Sequence, residues 1–131
     1  METAPMTQPD IEVYIRQQPV DLIIDWLDDR FDSSTEVQTK GRSHSLEVTL
    51  DSTVIPVTIV ENAAGKAWTS LWFDSSATPW GNDVESGREI NSQLKCKVRC
   101  NAAFWKNGAD NMDEWMEISE DGSEILIDWP S

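Results

Sequence analysis

Three short apolar runs, separated by turn-forming residues, constrain the fold of this chain more than any other feature. They are residues 45–51 (SLEVTLD), 54–61 (VIPVTIVE) and 67–74 (AWTSLWFD). In the first run apolar and polar side chains alternate, which is the period of a half-buried strand. The second run is apolar on both faces and suits a more central strand, although Pro56 removes one ladder amide. Together the runs predict an antiparallel meander of three strands.

Two helices are predicted ahead of these strands. The first covers residues 9–17, with Ile11, Tyr14 and Ile15 on one side. Pro19 has no amide proton and suits the first turn of a second helix. The apolar side chains of this second helix recur at helical spacing and are Val20, Ile23, Ile24, Leu27 and Phe31.

Two segments have no apolar period and are predicted to be irregular. Residues 33–43 (SSTEVQTKGRS) are typical of a polar linker. Residues 74–87 (DSSATPWGNDVESG) form the longer irregular segment and are the best candidate for a functional loop. This loop contains Trp80, and Asp83 and Glu85 give it an acidic rim.

Residues 94–100 (LKCKVRC) fit two different structures. Their alternation puts both cysteines on one face of a strand and the basic side chains on the other. Against this, Ser86 and Glu89 have the spacing of a helix capping box. We favour a short helical turn over residues 87–92 that leads into a strand from residue 94, because Cys and Val are mediocre helix formers.

The two cysteines, Cys96 and Cys100, are expected to be buried free thiols. In a strand, residues four apart lie about 13 Å apart, whereas a disulfide needs Cα atoms within about 7 Å. A closed zinc site would need two further ligands, and His44 is the only histidine. The basic residues of the stretch are expected to pair with acidic residues on neighbouring strands. The candidate partners are Glu117, Glu124 and Asp128.

Two more alternating runs, residues 113–119 and 124–130, are joined through Asp-Gly and predict a hairpin. The predicted fold is therefore α+β, with N-terminal helices packed on one face of a five- to six-stranded, mainly antiparallel sheet. We expect residues 10–131 to form a single domain and residues 1–9 a flexible tail. The element order resembles that of bacterial secretion chaperones, and a likeness of fold implies no activity.

The charge of the chain limits its partners. With 24 acidic and 10 basic residues the net charge is -14. Such a chain repels nucleic acid and anionic membrane surfaces and favours a cationic protein partner, although solubility or a salt-rich habitat would account for the same charge. No run reaches the roughly 18 apolar residues of a membrane helix, and the start METAPMTQPD lacks the features of a signal peptide. We therefore expect a cytoplasmic protein.

No motif in the sequence specifies catalysis. His44 has no nucleophile or acid at a recognisable motif spacing. Carboxylates are so abundant that their number carries no evidence, and no calcium loop, phosphate loop or dinucleotide fingerprint occurs. We expect no catalytic residue, no metal and no cofactor, and an enzyme is the least supported class.

The seven tryptophans are the most distinctive feature of the composition. Trp26 and Trp129 align with apolar stripes and are predicted to be core residues. Trp80 in its loop, and Trp68 with Trp72 on one strand face, are candidate binding residues, because a tryptophan ring combines a large apolar surface with one polar group. The alternative for Trp80 is a structural role, in which its ring fixes the loop to the core.

Three functional hypotheses follow from these features. The first is a small acidic, non-enzymatic protein-binding module, of the adaptor or chaperone kind, that holds a cationic partner through Trp80, Asp83 and Glu85. The second is a small-ligand or carbohydrate binder that uses exposed Trp68 and Trp72 for stacking. The third is an acidic mimic of nucleic acid that binds DNA-handling proteins, which requires the carboxylates to line up on one face.

Overall fold

The chain forms an antiparallel sheet with two helices. The computed structural model describes residues 10–65, 67–102 and 114–129. Its strands are β1 (Ile11–Arg16), β2 (Ser33–Ser34), β3 (Gln38–Lys40), β4 (Ser43–Leu50), β5 (Thr53–Val60), β6 (Trp68–Phe73), β7 (Val98–Asn101), β8 (Glu114–Ile118) and β9 (Glu124–Asp128). Its helices are α1 (Val20–Arg30) and α2 (Asp83–Leu94). The α+β class is confirmed, whereas the strand count of five to six and the placement of both helices before the sheet are wrong.

Strand β1 lies in the middle of the sheet. It pairs with β6 on one side and β7 on the other, giving the order β2-β4-β5-β6-β1-β7-β8-β9, with β3 also on β4. The helix predicted over residues 9–17 is therefore wrong. Ile11, Val13 and Ile15 are buried, while Tyr14 lies on the opposite face. Six residues fit both periods, and pairing on two sides decides for the strand.

Both helices contribute to one core on the same face of the sheet. Ile23, Trp26 and Leu27 of α1 are buried, so the prediction that Trp26 is a core residue is confirmed. Ile90 of α2 joins the same cluster. Along each strand the inward side chains alternate with outward ones, as the period of two requires. The outward face carries polar and aromatic side chains instead.

Helix α2 begins inside the segment predicted to be irregular. Asn82 caps it, because the Asn82 side chain accepts a hydrogen bond from the Glu85 backbone at 2.9 Å. The Glu85 carboxylate in turn accepts from the backbone N–H of Gly81 at 3.1 Å. The predicted irregular segment over residues 74–87 therefore ends at Asn82. The predicted turn over residues 87–92 is the middle of a full helix.

Residues 94–100 combine both structures that their sequence fits. Helix α2 ends at Leu94, and Lys95 adopts a left-handed φ of 54° while its N–H donates to Asn91 O at 2.9 Å. Strand β7 starts at Val98, so the strand predicted from residue 94 begins four residues too early. A helix end and a strand start share this stretch, which is why neither period alone describes it.

Gly87 lets α2 lie close to β7. A Cβ atom added at Gly87 would lie 3.0 Å from Cys100 Sγ and 3.4 Å from Val98 Cγ1. Both distances are shorter than the 3.5–4.0 Å at which carbon atoms pack comfortably. A larger residue here would push the helix away from the sheet.

The other strands agree with the sequence. Strands β4, β5 and β6 and the β8–β9 hairpin occupy the predicted apolar runs to within two residues at most ends. Residues 33–43, predicted as a linker, contribute the short strands β2 and β3, which pair with β4. The tail predicted over residues 1–9 lies outside the described residues. Neither helix in the described ranges is long and apolar enough to cross a bilayer.

Candidate functional site

The β8–β9 hairpin forms one end of the sheet, and its turn fixes the register of β9. Ser119 N donates to Ser123 O at 2.8 Å, and Gly122 N donates to Ser119 O at 2.8 Å. Gly122 has a φ of 91°, which glycine adopts without a Cβ clash. Hydrogen bonds from Ser123 lower the pKa of Asp121. The Asp-Gly hairpin predicted from the sequence is confirmed.

Strand β9 has an edge that no other described strand covers. The hydrogen bond between Ser119 and Ser123 sets the alternation along the ladder. By this alternation Ile125 directs its backbone groups toward β8, whereas Glu124 and Leu126 direct theirs away from it. Because β9 is last in the strand order of residues 10–65, 67–102 and 114–129, those groups face outward. An outward row of donors and acceptors is a template for a further strand.

The centre of this edge strand is apolar on both faces. Ile125 is 58% exposed and Leu126 is 38% exposed, and neighbouring residues of a strand point to opposite faces. At the other end of the sheet the edge is made of the very short strands β2 and β3, which carry polar side chains. A very short edge strand limits pairing with another chain, and β9, with five residues, does not have this protection. The β9 edge is therefore the candidate functional site.

The hairpin that carries this edge is strongly acidic. Residues 114–129 contain six carboxylates and no Lys or Arg. Arg88 of α2 reaches Glu124 at 2.7 Å, and this ion pair lowers the pKa of Glu124. Arg99 and Lys97 reach Glu117 at 2.8 and 4.0 Å, so pairing of the basic stretch with acidic residues of neighbouring strands is confirmed there. These pairs offset only part of the local negative charge.

An aromatic–arginine cluster on the face opposite the helices anchors the end of β9. Its members are Tyr14, Trp68, Arg99, Trp115 and Trp129. The Trp129 ring meets the rings of Tyr14 and Trp115 edge-on, both at 5.1 Å between centroids. The Arg99 guanidinium lies 4.5 Å from the Trp68 ring and 4.6 Å from the Trp129 ring, within the range of cation–π attraction. Trp129 thus lies in this cluster and outside the core beneath the helices.

Trp80 is buried and is not a side chain that a partner can reach. It is 5% exposed and packs against Phe73, Phe31 and Trp26 with ring centroids 5.1, 6.1 and 6.3 Å away. Its Nε1 donates to the Glu89 carboxylate at 3.2 Å. Trp80 therefore fixes its loop to the core, which is the structural alternative for this residue, and its ring does not open to solvent.

The two tryptophans of β6 also have structural partners. Trp68 is 7% exposed, and its ring is covered by Arg99 and Trp129. Trp72 is half-buried, and its Nε1 donates to the Asp10 carboxylate at 2.6 Å. The pair shares one strand face as predicted, but Trp68 is not available as an exposed stacking platform.

The two acidic residues proposed from the sequence lie at the start of α2. Asp83 is buried, and its carboxylate accepts the Glu12 backbone N–H at 3.0 Å. Glu85 is exposed and belongs to the helix cap described above. Asp83, Glu85 and Trp80 are near one another in the chain, but the first and last are buried, so they do not form an exposed rim.

Both cysteines are buried free thiols, as predicted. Burial raises the pKa of Cys96 to about 11 and raises the pKa of Cys100 as well. Both side chains are thus neutral thiols near pH 7 and act as small apolar groups. Among the described residues no group of His, Cys, Asp and Glu is arranged to hold a metal ion.

No sequence motif assigns a function to Ile125 or Leu126. The signal in the sequence is the run of three apolar residues in EILID, which places apolar side chains on both faces of a strand. Comparisons with protein-family models, with curated proteins and with solved structures found no match to this chain. The proposal for its function therefore depends on the geometry alone.

Proposed function

We propose that this protein is a non-enzymatic protein-binding module that holds an extended, basic segment of a partner as an added strand on β9. The observation that carries the proposal is the outward edge of β9, with Ile125 and Leu126 exposed at its centre. In strand addition, backbone hydrogen bonds supply affinity and alternate side chains supply specificity. The proposal keeps the protein-binding class expected from the sequence and moves the site from the Trp80 loop to β9.

The charge of the hairpin supports a basic partner. Six carboxylates lie in residues 114–129, and the whole chain has a net charge of -14. Opposite charges attract over about 8 Å at physiological salt and speed encounter with a cationic segment. Lysine or arginine at alternate positions of the partner would lie beside Asp128 at one end of β9, and at the other end beside Glu124, which already pairs with Arg88.

The same charge disfavours a second copy of this chain as the occupant. Antiparallel pairing of two β9 strands about Leu126 would place Glu124 of one copy opposite Asp128 of the other, twice. Like charges directly opposite each other in a sheet are destabilising. A partner strand of opposite charge meets no such repulsion.

A titration with a designed peptide tests this function. The probe is a fluorescein-labelled heptapeptide that alternates Lys and Val, and its control replaces each Lys with Glu. We expect saturable binding of the Lys peptide by fluorescence anisotropy, weakening as salt is added, and no binding of the Glu peptide.

A matched pair of variants locates the site. Leu126→Lys adds a positive charge at the centre of the β9 edge, whereas Val54→Lys adds the same charge at an exposed position of β5, where Val54 is 52% exposed. We expect Leu126→Lys to weaken the Lys peptide by about tenfold or more, corresponding to about 1.4 kcal/mol, and Val54→Lys to change it less than about twofold. Equal binding by both variants would refute the β9 site, provided that circular dichroism shows both to be folded.

A further inference from the structure

A cleft at the opposite end of the sheet from β9 has the properties of a small-molecule site. It is an open cleft of about 620 Å³ between the start of α1 and strands β3 and β4, a volume within the range of ligand pockets. Its lining residues are Pro19, Val20, Asp21, Ile24, Val37, Thr39, His44 and Glu61. None of them belongs to the β8–β9 hairpin, so the cleft is independent of the proposed strand-docking edge.

One wall of the cleft is a hydrogen-bonded chain through His44. His44 Nε2 lies 2.7 Å from Glu61 Oε2, and Thr39 Oγ1 lies 2.9 Å from His44 Nδ1. The side chain of His44 is 12% exposed. No local pattern indicates these partners, because Thr39 and Glu61 reach His44 only through the pairing of β3 and β5 with β4. These hydrogen bonds place the Glu61 carboxylate at the cleft.

The cleft combines an apolar surface with two carboxylates. Val20, Ile24 and Val37 are half-buried and contact the core. Asp21 has no hydrogen bond or ion pair with any residue in the described ranges, and Glu61 is bonded there through Oε2, which leaves its Oε1 able to accept. An apolar surface beside accepting carboxylates fits a ligand with a hydrocarbon part and a cationic end.

The balance of charge favours a cation over an anion in this cleft. The N-terminus of α1 contributes about half a positive charge, which favours anions. Asp21 lies in the first turn of α1 and already offsets this charge, and Glu61 adds a second carboxylate. The nearby guanidinium of Arg42 donates to Asn62 O at 3.3 Å. With a neutral His44, the two carboxylates therefore outweigh the helix terminus; a protonated His44 would offset the charge of Glu61.

We propose that this cleft binds a small primary alkylammonium compound. The hydrocarbon chain lies against Val20, Ile24 and Val37, and the ammonium group donates to the carboxylates of Asp21 and Glu61. An ammonium has three donors and no acceptor, so it has enough donors for two carboxylates. A carboxylate or an alcohol of the same length has neither the positive charge nor the three donors of an ammonium group.

The single histidine provides a direct probe of the cleft. His44 is the only histidine of the chain, so its imidazole C2 proton gives one assignable signal in a proton NMR spectrum. We expect titration with hexylammonium chloride, at fixed pH and matched chloride concentration, to shift this signal saturably. Sodium hexanoate and hexanol should leave it in place. An unmoved signal with hexylammonium, or an equal shift with hexanoate, would overturn the proposal.

Variants assign the ammonium to its two carboxylates. Glu61→Gln removes the negative charge but keeps an oxygen that can accept from His44. Asp21→Asn removes the negative charge at the start of α1. Each should weaken hexylammonium binding about tenfold or more, since hydrogen bonds to charged groups are among the strong ones. Asp25→Asn removes a charge one turn further along α1, where Asp25 is exposed and does not line the cleft, and should change binding less than about twofold. If Asp25→Asn weakens binding as much as Asp21→Asn, general charge and not the cleft explains the effect, and the proposal fails.

Discussion

The burial of Trp80 gives a prediction that separates a structural residue from a binding residue. Its ring fills the space between Trp26 of α1, Phe31 and Phe73, and its Nε1 donates to Glu89. The substitution Trp80→Ala would remove the whole ring and leave a cavity bounded by these side chains. Glu89 would retain its ion pair with Arg30.

The expected loss of stability is large. Replacing a buried aromatic ring by Ala costs about 3–5 kcal/mol, of which the cavity is a substantial part. A domain of ordinary stability has about 5–15 kcal/mol in total, so this one change would remove about a fifth of it or more. With a urea dependence of about 2 kcal/mol per molar, the unfolding midpoint should fall by about 2 M.

Urea unfolding followed by far-ultraviolet circular dichroism measures this effect without depending on tryptophan emission. Trp80→Phe keeps a ring but removes the donor to Glu89, and should lose about 1–2 kcal/mol. Leu22→Ala, at a position 45% exposed on α1, should change the free energy of unfolding by less than about 0.5 kcal/mol. A loss below about 1 kcal/mol for Trp80→Ala would refute the packing argument.

Three further outcomes follow from the same structure. Gly87→Ala should destabilise by about 1–3 kcal/mol because its Cβ would lie 3.0 Å from Cys100 Sγ, and Cys100→Ala in the same chain should recover part of the loss in urea unfolding. Burial, with a smaller contribution from Asp10, raises the pKa of Glu12; Glu12→Gln should therefore stabilise the fold at pH 7, and the gain should vanish below the unfolded-state pKa of about 4.3. Cys96 and Cys100, both buried, should react with a thiol reagent only after urea is added.

Local sequence patterns predicted the elements that depend on local contacts. The apolar face of α1, the alternation in β4, and the Asp-Gly turn between β8 and β9 each specify a structure within a short segment. Strand β1 was mistaken for a helix because its six residues fit both periods. Its two strand partners, β6 and β7, lie far along the chain, and no local pattern reports them.

The sequence predicts only part of the candidate site. The hairpin that contains Ile125 and Leu126 could be predicted, but its place at the end of the sheet depends on the strand order. For Trp80 the sequence pattern was misleading. A tryptophan in a segment without an apolar period resembles an exposed binding residue, whereas Trp80 is buried in the structure. The cap at Asn82 turns that segment into the start of α2, and the ring then packs between the helices and the sheet.

The central position of β1 has a consequence for the order of folding during synthesis. β1 is the first described strand to leave the ribosome, yet Arg16 pairs with Trp68 and Tyr14 pairs with Arg99. β4, β5 and β6 can pair with one another as soon as they emerge, whereas β1 must wait for β6 and then for β7. Contacts this distant along a chain slow folding. In the described sheet, β1 is the strand that joins β2, β4, β5 and β6 to β7, β8 and β9.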